Sequence, residues 1–444
     1  MSPIGLVLLA VILVLILFGS RRVAVTAFFL SIFCFHIFSK IDAGIIQLTS
    51  WRISVAAGML RIVLKKEPLP GGLVRMDKLM ILYAIVAVIT GTILEHNFKG
   101  FVNRGGLAFD IIGLYFFFRF LIGTMSELNS AIVSFTFMMV PLCLLLLLEK
   151  TKGINLFSLL SSHHLELNIR DGKIRASGPF EHPILAGSFC ATTFPLMVVL
   201  WYKGKGFRTI SILGMVAILV GVFSSASSGP IMSFIFCLIG YALFPLRHNM
   251  KTIRILFVLG LIATQMFMKA PIWFLLEKID LTGSSTGWHR AELIDSCLRH
   301  FNEWWLIGTT YTRHWMPTGI PADPNQTDIT NQYIAIGVSG GVFLLIIFII
   351  IQIECFKSIG KLMLVVESLP METKILPWSF GVVVFSHLGT FFSISFFDQT
   401  ISLVYFIFAV TTFLKTQTFQ TSPEEPAPEP GDFISANTDI LGET

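Results

Sequence analysis

Twelve separate stretches of this chain are apolar and long enough to cross a lipid bilayer, and that repetition limits the fold more than any motif does. They lie near 3–18, 23–39, 78–95, 105–123, 131–148, 183–202, 208–223, 229–246, 253–270, 332–353, 377–395 and 400–414. A soluble fold could not hide so much apolar surface. Hydrophobic residues make up 54% of the 444, and charged residues 13%, about half the usual share of roughly 25%. Inside hydrocarbon the backbone must satisfy its own hydrogen bonds, so each run is read as a helix. The expectation is an all-α polytopic membrane bundle of about 12 transmembrane helices.

A further apolar segment, 45–64, carries Arg52 and Arg61. These lie nine residues apart, about half a helical revolution out of phase, and cannot share one polar face. The segment is either a tilted span with both guanidiniums snorkelling or an interfacial helix, which makes the count 12 or 13. The first run follows no basic residues and has no cleavage pattern, so it reads as a retained span.

Orientation comes from the short loops. Loops 203–208 and 247–254 are basic, whereas the hairpin between them, Ser224 to Pro230, is uncharged. The positive-inside rule makes the basic loops cytoplasmic and the serine hairpin outward-facing. Counting from there, the two longer loops, 149–182 and 271–331, share the outer face. Residues 1–414 then form the bundle with its loops, and 415–444, with Pro and Glu repeated from Pro423 to Pro430, form a disordered cytoplasmic tail.

Several functions are excluded by what such functions require. A net charge of +5 is too modest and too dispersed for a nucleic-acid footprint. The six cysteines are far apart and show no metal-ligand spacing, and the His163-His164 pair has no ligand partners at metal spacing, so no metal or other cofactor is expected. Walker, dinucleotide and zinc-hydrolase motifs do not occur, which leaves ATP-driven transport and zinc hydrolysis unsupported.

Three polar clusters remain, all in the outer loops. Arg170, Lys173 and Arg175 precede Gly178-Pro179-Phe180-Glu181-His182-Pro183. Three cations within six residues run against the topology rule and suit an anion site, since a guanidinium binds phosphate oxygens bidentately. The competing reading is a basic turn paired with lipid headgroups. The second cluster, Trp288-His289-Arg290, opens an amphipathic helix for which Ser285 or Thr286 is a plausible N-cap. Arg290 then stands in the first turn, where free N–H groups already favour an anion; alternatively it pairs with Glu292. The third cluster is Asp328, Thr330 and Asn331 before the span 332–353. Asp328 or Thr330 either caps that helix or, for Asp328, accepts a proton from an incoming hydroxyl. Asp110 and Arg119, nine residues apart, are expected to meet other helices or the two membrane interfaces rather than each other.

The order of these elements carries a resemblance. Arg175, Gly178, Phe180, His182 and Pro183 come first, then the serine hairpin, then Trp288-His289-Arg290, then Asn331 leading to Gly341. Over roughly 75–415 this resembles the O-antigen ligase and polysaccharide polymerase superfamily of bacterial envelope proteins. The resemblance implies a GT-C-like, metal-independent glycosyltransferase at the outer face of the cytoplasmic membrane. Its partners would be an undecaprenyl-pyrophosphate-linked glycan, an acceptor glycan or glycolipid, the bilayer and polysaccharide-assembly proteins. Arg175 and Arg290 match the family's pyrophosphate-holding arginines. Where ligases place a His before the Asn, this chain has Thr330, with Asp328 two residues earlier, and the serine hairpin lacks the Arg that often follows it. Arg170, Lys173, His182, His289, Thr330 and Asn331 are the supporting substrate-binding candidates. An anion transporter and an envelope-assembly scaffold are the rival classes.

Overall fold

The computed structural model describes residues 1–37, 39–43, 46–161, 166–278, 287–320 and 323–417. Residues 418–444 of the expected tail, the proposed caps Ser285 and Thr286, and the His163-His164 pair lie outside the described residues.

Every apolar run forms a helix. The first half contains α1 (Pro3–Phe18), α2 (Arg21–Cys34), the hairpin β1 (Lys40–Ala43) and β2 (Ile46–Thr49), α3 (Ser50–Leu64), α4 (Arg75–Glu95), α5 (Phe98–Leu121) and α6 (Met125–Lys152). A second antiparallel hairpin, β3 (Asn168–Arg170) and β4 (Lys173–Arg175), leads to α7 (Pro183–Tyr202), α8 (Lys205–Ser224), α9 (Ser228–Ala242) and α10 (Met250–Phe267). The 271–331 loop carries α11 (Gly287–Arg299), α12 (Phe301–Trp304) and the small pair β5 (Gly319–Ile320) and β6 (Asp323–Thr327). Three helices close the chain: α13 (Gln332–Val365), α14 (Met371–Thr390) and α15 (Ile401–Thr416). Seven helices among the described residues are long and apolar enough to cross a membrane, and α1, α9 and α15 are shorter apolar helices. The protein is therefore an all-α membrane protein in its helical frame, with the strands confined to loop hairpins.

Aromatic side chains fill the interior. Phe29 of α2 meets Phe135 of α6 edge-on at 5.2 Å and Phe406 of α15 at 5.6 Å, while Phe118 of α5 meets Phe406 at 5.0 Å. Edge-to-face contacts at this spacing add roughly 0.5–1.5 kcal/mol each beyond burial.

Charges inside the bundle are paired between helices, as expected for Asp110 and Arg119. Arg52 holds Asp110 through two bonds, Nη2 to Oδ2 at 2.6 Å and Nε to Oδ1 at 2.8 Å. Arg61 does not snorkel. It turns inward, donating to the carbonyls of Ile16 and Gly19 that close α1 and to Glu67, because the terminal carbonyls of a helix need donors and attract a cation. Arg119 is fully buried with Asp77. Its Nε donates to Asp77 Oδ1 at 3.2 Å and its Nη2 to Gly72 O, and Tyr115 Oη donates to the same Asp77 oxygen at 2.6 Å. Tyr115 also reaches Thr412 of α15, so one carboxylate joins three helices.

One glycine of α13 shapes the helix itself. Gly341 has φ +79° and ψ −179° and breaks the helix. Thr309 N donates to Val338 O at 2.9 Å, and Val342 N donates to Trp305 O at 2.8 Å. The 304–309 segment is thereby wedged into the helix. A Cβ at Gly341 would stand 2.3 Å from Leu306 O.

Arg119→Ala is expected to destabilise the protein by about 3–5 kcal/mol, because it strands a buried carboxylate; Arg119→Met with Asp77→Leu should recover most of that loss. Gly341→Ala should lower the thermal midpoint too, with a destabilisation of at least the roughly 1–3 kcal/mol of backbone strain. Unfolding followed by tryptophan fluorescence in detergent measures all three variants.

Candidate anion-binding site

The first loop delivers one arginine into the protein and leaves two basic side chains outside. The turn Asp171-Gly172 has positive φ at both positions, 51° and 71°, the geometry of a tight two-residue hairpin. Arg170 and Lys173 face each other next to that turn and are exposed, whereas Arg175, paired with Asn168 at the base, is only 6% exposed. Beyond it the path is fixed by a buried carboxylate: Glu149 of α6 accepts from Ser177 N at 3.0 Å and Gly178 N at 2.8 Å. Gly178, with φ +59°, makes that turn against Leu146. His182 is the N-cap of α7, its Nδ1 accepting from Ile184 N at 3.2 Å ahead of Pro183. Burial and the nearby Arg175 and Arg170 push the His182 pKa down to about 4.

The two matched arginines converge on the serine hairpin between α8 and α9. Arg175 Nη2 donates to Ser227 Oγ at 2.6 Å, and Ser227 Oγ donates to Ser225 O. Two residues on, Arg290 Nη2 lies 3.8 Å from the position a Cβ on Gly229 would take. Both Nε atoms are buried without a hydrogen-bond partner, and neither arginine forms an ion pair among the described residues. Arg290 does not take Glu292, which approaches Arg299 instead at 3.7 Å. Burial lowers the pKa of both guanidiniums; for Arg175 the charge of Arg170 adds to this and Asp171 opposes it. A cation removed from water without a counter-charge is costly, so this pair favours an anion placed between the arginines and the hairpin backbone. Ser227 and Gly229 were not legible as site residues: an uncharged serine turn reads as helix packing until the arginines are placed beside it.

The second cluster is assembled around His289. Arg290 stands in the first turn of α11, as expected. His289 is buried, with Nε2 3.0 Å from Thr318 Oγ1 and Nδ1 3.4 Å from Thr330 Oγ1. Its pKa is lowered, mainly by burial and further by Arg290, while Asp328 opposes the shift. Asp328 is exposed beside it. The helix cap expected of Asp328 or Thr330 belongs to Asn331, whose Oδ1 accepts from Tyr333 N at 2.9 Å and Ile334 N at 3.1 Å. That oxygen is committed to the backbone, because it alone stands at the spacing the first free N–H groups of α13 require. Asn331 therefore positions the segment.

The helix of the run 377–395 ends early, at Thr390, and residues 391–400 between α14 and α15 join the two loops. Asp398 is 1% exposed; its Oδ2 accepts from Glu181 N at 3.1 Å and its Oδ1 from Thr400 N at 2.9 Å. Burial raises its pKa. Gln399 Nε2 donates to Pro179 O at 2.6 Å. On the other side, Ser395 Oγ donates to Ile329 O, Gln332 N to Phe391 O, and Phe396 N to Gln332 Oε1. Neither protein-family models nor curated proteins yield a match to this chain.

Because each arginine is desolvated without a carboxylate, Arg175→Met and Arg290→Met are expected to stabilise the protein by about 1–3 kcal/mol in anion-free buffer. Inorganic pyrophosphate should raise the thermal midpoint of the wild type, with a stabilisation of about 2.7 kcal/mol at a hundredfold excess over Kd, and should leave both variants unmoved. A thermal-shift series in detergent reads both effects.

Proposed function

We propose that the protein is a metal-independent membrane glycosyltransferase of the O-antigen ligase and polysaccharide polymerase type, with the GT-C-like bundle of 12 or 13 spans and outward-facing loops that this class implies. Its donor is a glycan on undecaprenyl pyrophosphate and its acceptor a sugar hydroxyl on a glycan or glycolipid. The observation that carries the reading is the pair Arg175, buried, and Arg290, half-buried, at one uncharged turn without carboxylate partners among the described residues.

In this reading the acceptor oxygen attacks the anomeric carbon while the bond from that carbon to the pyrophosphate oxygen breaks. The leaving group is a stabilised anion, so the chief demand on the protein is to meet negative charge as it develops. Arg175 and Arg290 do so, with Ser227 holding the first of them in place. The hydroxyl proton passes to the His289–Asp328 pair. His289 is neutral near pH 7 because burial lowers its pKa, and is thus able to accept a proton; the Asp328 carboxylate favours the imidazolium that results. Arg170 and Lys173, exposed at their hairpin tip, attract the anionic donor.

Arg175→Ala with Arg290→Ala is expected to lower transfer by purified protein at least 100-fold, in keeping with the loss of charge-stabilising donors. Retained activity would overturn the assignment, and anion uptake by proteoliposomes without consumption of carrier lipid would replace it with transport. The pH profile gives an independent check. A base works only while unprotonated, so activity should persist as pH falls through 6.5 and decline below it, at the lowered pKa of His289. Asp328→Asn removes an influence that raises that pKa, and should move the acidic limb to lower pH while reducing the rate.

A further inference from the structure

The far end of α11 carries a constellation that the proposed chemistry leaves unused. After Arg299 the chain turns through α12, and a single helical turn at Arg313–Trp315 folds back against it. This closure brings His300, Glu303 and His314 together, with one ligand atom from each within 4.8 Å of the others. Glu303 Oε1 stands 2.8 Å from His300 Nδ1 and 3.0 Å from His314 Nε2. The other carboxylate oxygen, Oε2, accepts from Trp315 Nε1 at 2.9 Å, which fixes the oxygen presented to the imidazoles.

The frame behind these groups is ordered. The His300 ring stacks on Trp315 with an interplanar angle of 10°, and the His314 ring stacks on Tyr311 at 15°. Trp315 is buried, and its carbonyl accepts from Ser296 Oγ of α11 at 3.0 Å. Bond lengths of about 2.0–2.1 Å put tetrahedral ligand atoms about 3.3 Å apart. To meet that figure the two shorter separations open by about 0.3–0.5 Å, and the third, at most 4.8 Å, closes by up to about 1.5 Å through side-chain rotation.

We propose that His300, Glu303 and His314 bind a divalent transition-metal ion of the zinc class, with water as the remaining ligand. Two imidazoles and one carboxylate form a borderline donor set of the kind zinc takes, and they lack the oxygen ligands that magnesium or calcium would need. The carboxylate held by an indole N–H is the supported ligand such sites use. Ten residues of helical rise, about 15 Å, separate His300 from Arg290. The ion therefore stands apart from the arginines and acts structurally, tying residues 300–315 into one unit.

The test uses full-length protein without a polyhistidine tag, stripped with chelator in detergent and titrated with Co2+ and then Zn2+. One ion per chain is expected, with tetrahedral visible bands from Co2+ that Zn2+ abolishes. His300→Ala and His314→Ala should each weaken binding at least roughly tenfold, whereas His163→Ala with His164→Ala should not. X-ray absorption on the zinc-loaded wild type, which requires no variant to fold, should report two imidazoles and oxygen. No saturable binding in the millimolar range, fewer than two imidazoles, or unchanged affinity in His300→Ala with His314→Ala would overturn the proposal and leave a carboxylate–imidazole cluster that only carries protons. Loss of transferase activity in Arg290→Ala with metal binding intact separates this site from the pyrophosphate reading.

Discussion

A charge taken out of water must find its compensation inside the fold, and the architecture is organised by where that rule is met and where it is not. Within the helices it is met by protein alone. Asp77 serves Arg119 and Tyr115, Asp110 serves Arg52, and Arg61 closes α1 with help from Glu67. Asp110–Arg52 joins α5 to α3, Asp77–Arg119 joins α4 to α5, and Arg61 joins α3 to α1, so electrostatics fixes neighbours while edge-to-face phenylalanines fill the space between. Arg175 and Arg290 differ: the chain buries the first and half-buries the second, with both Nε atoms out of reach of a partner and no counter-charge among the described residues. Stability lost there is the physical counterpart of affinity for something anionic.

Holding two such arginines at one turn demands rigidity from the loops that carry them. Glu149 fixes the turn at Ser177 and Gly178, Asp398 and Gln399 fix Pro179 and Glu181, and residues 391–396 fix the approach to α13. Residues 391–400 as a whole thus touch both loops. Hydrogen bonds to backbone do most of this work, so the site's geometry rests on main-chain positions rather than on long mobile side chains.

The helical frame was legible because hydrophobic runs report helices directly wherever the backbone must satisfy itself. Arg175, His182 and Arg290 stood out for a related reason: charge beside an apolar run calls for an explanation. Other parts were invisible for equally physical reasons. Asp398 lies 217 residues from its partner Glu181, and nothing in local spacing links them. Ser227 and Gly229 have ordinary turn chemistry and gain meaning only from the guanidiniums beside them. Asn331 outcompeted Asp328 and Thr330 as a cap by a matter of one or three positions, within the resolution of any boundary drawn from sequence. His300, Glu303 and His314 span a fold-back that linear spacing does not encode.

The break at Gly341 has a bearing on how the 271–331 loop is held. Two backbone bonds, Thr309 N to Val338 O and Val342 N to Trp305 O, fasten that loop to α13. Val338 O and Val342 N are also the acceptor and donor that an unbroken helix would pair with each other, four residues apart. Withdrawal of the loop would leave these two groups able to satisfy one another once Gly341 swings into a helical conformation. The kinked α13 therefore depends on the loop for two backbone hydrogen bonds that a straight helix would form within itself.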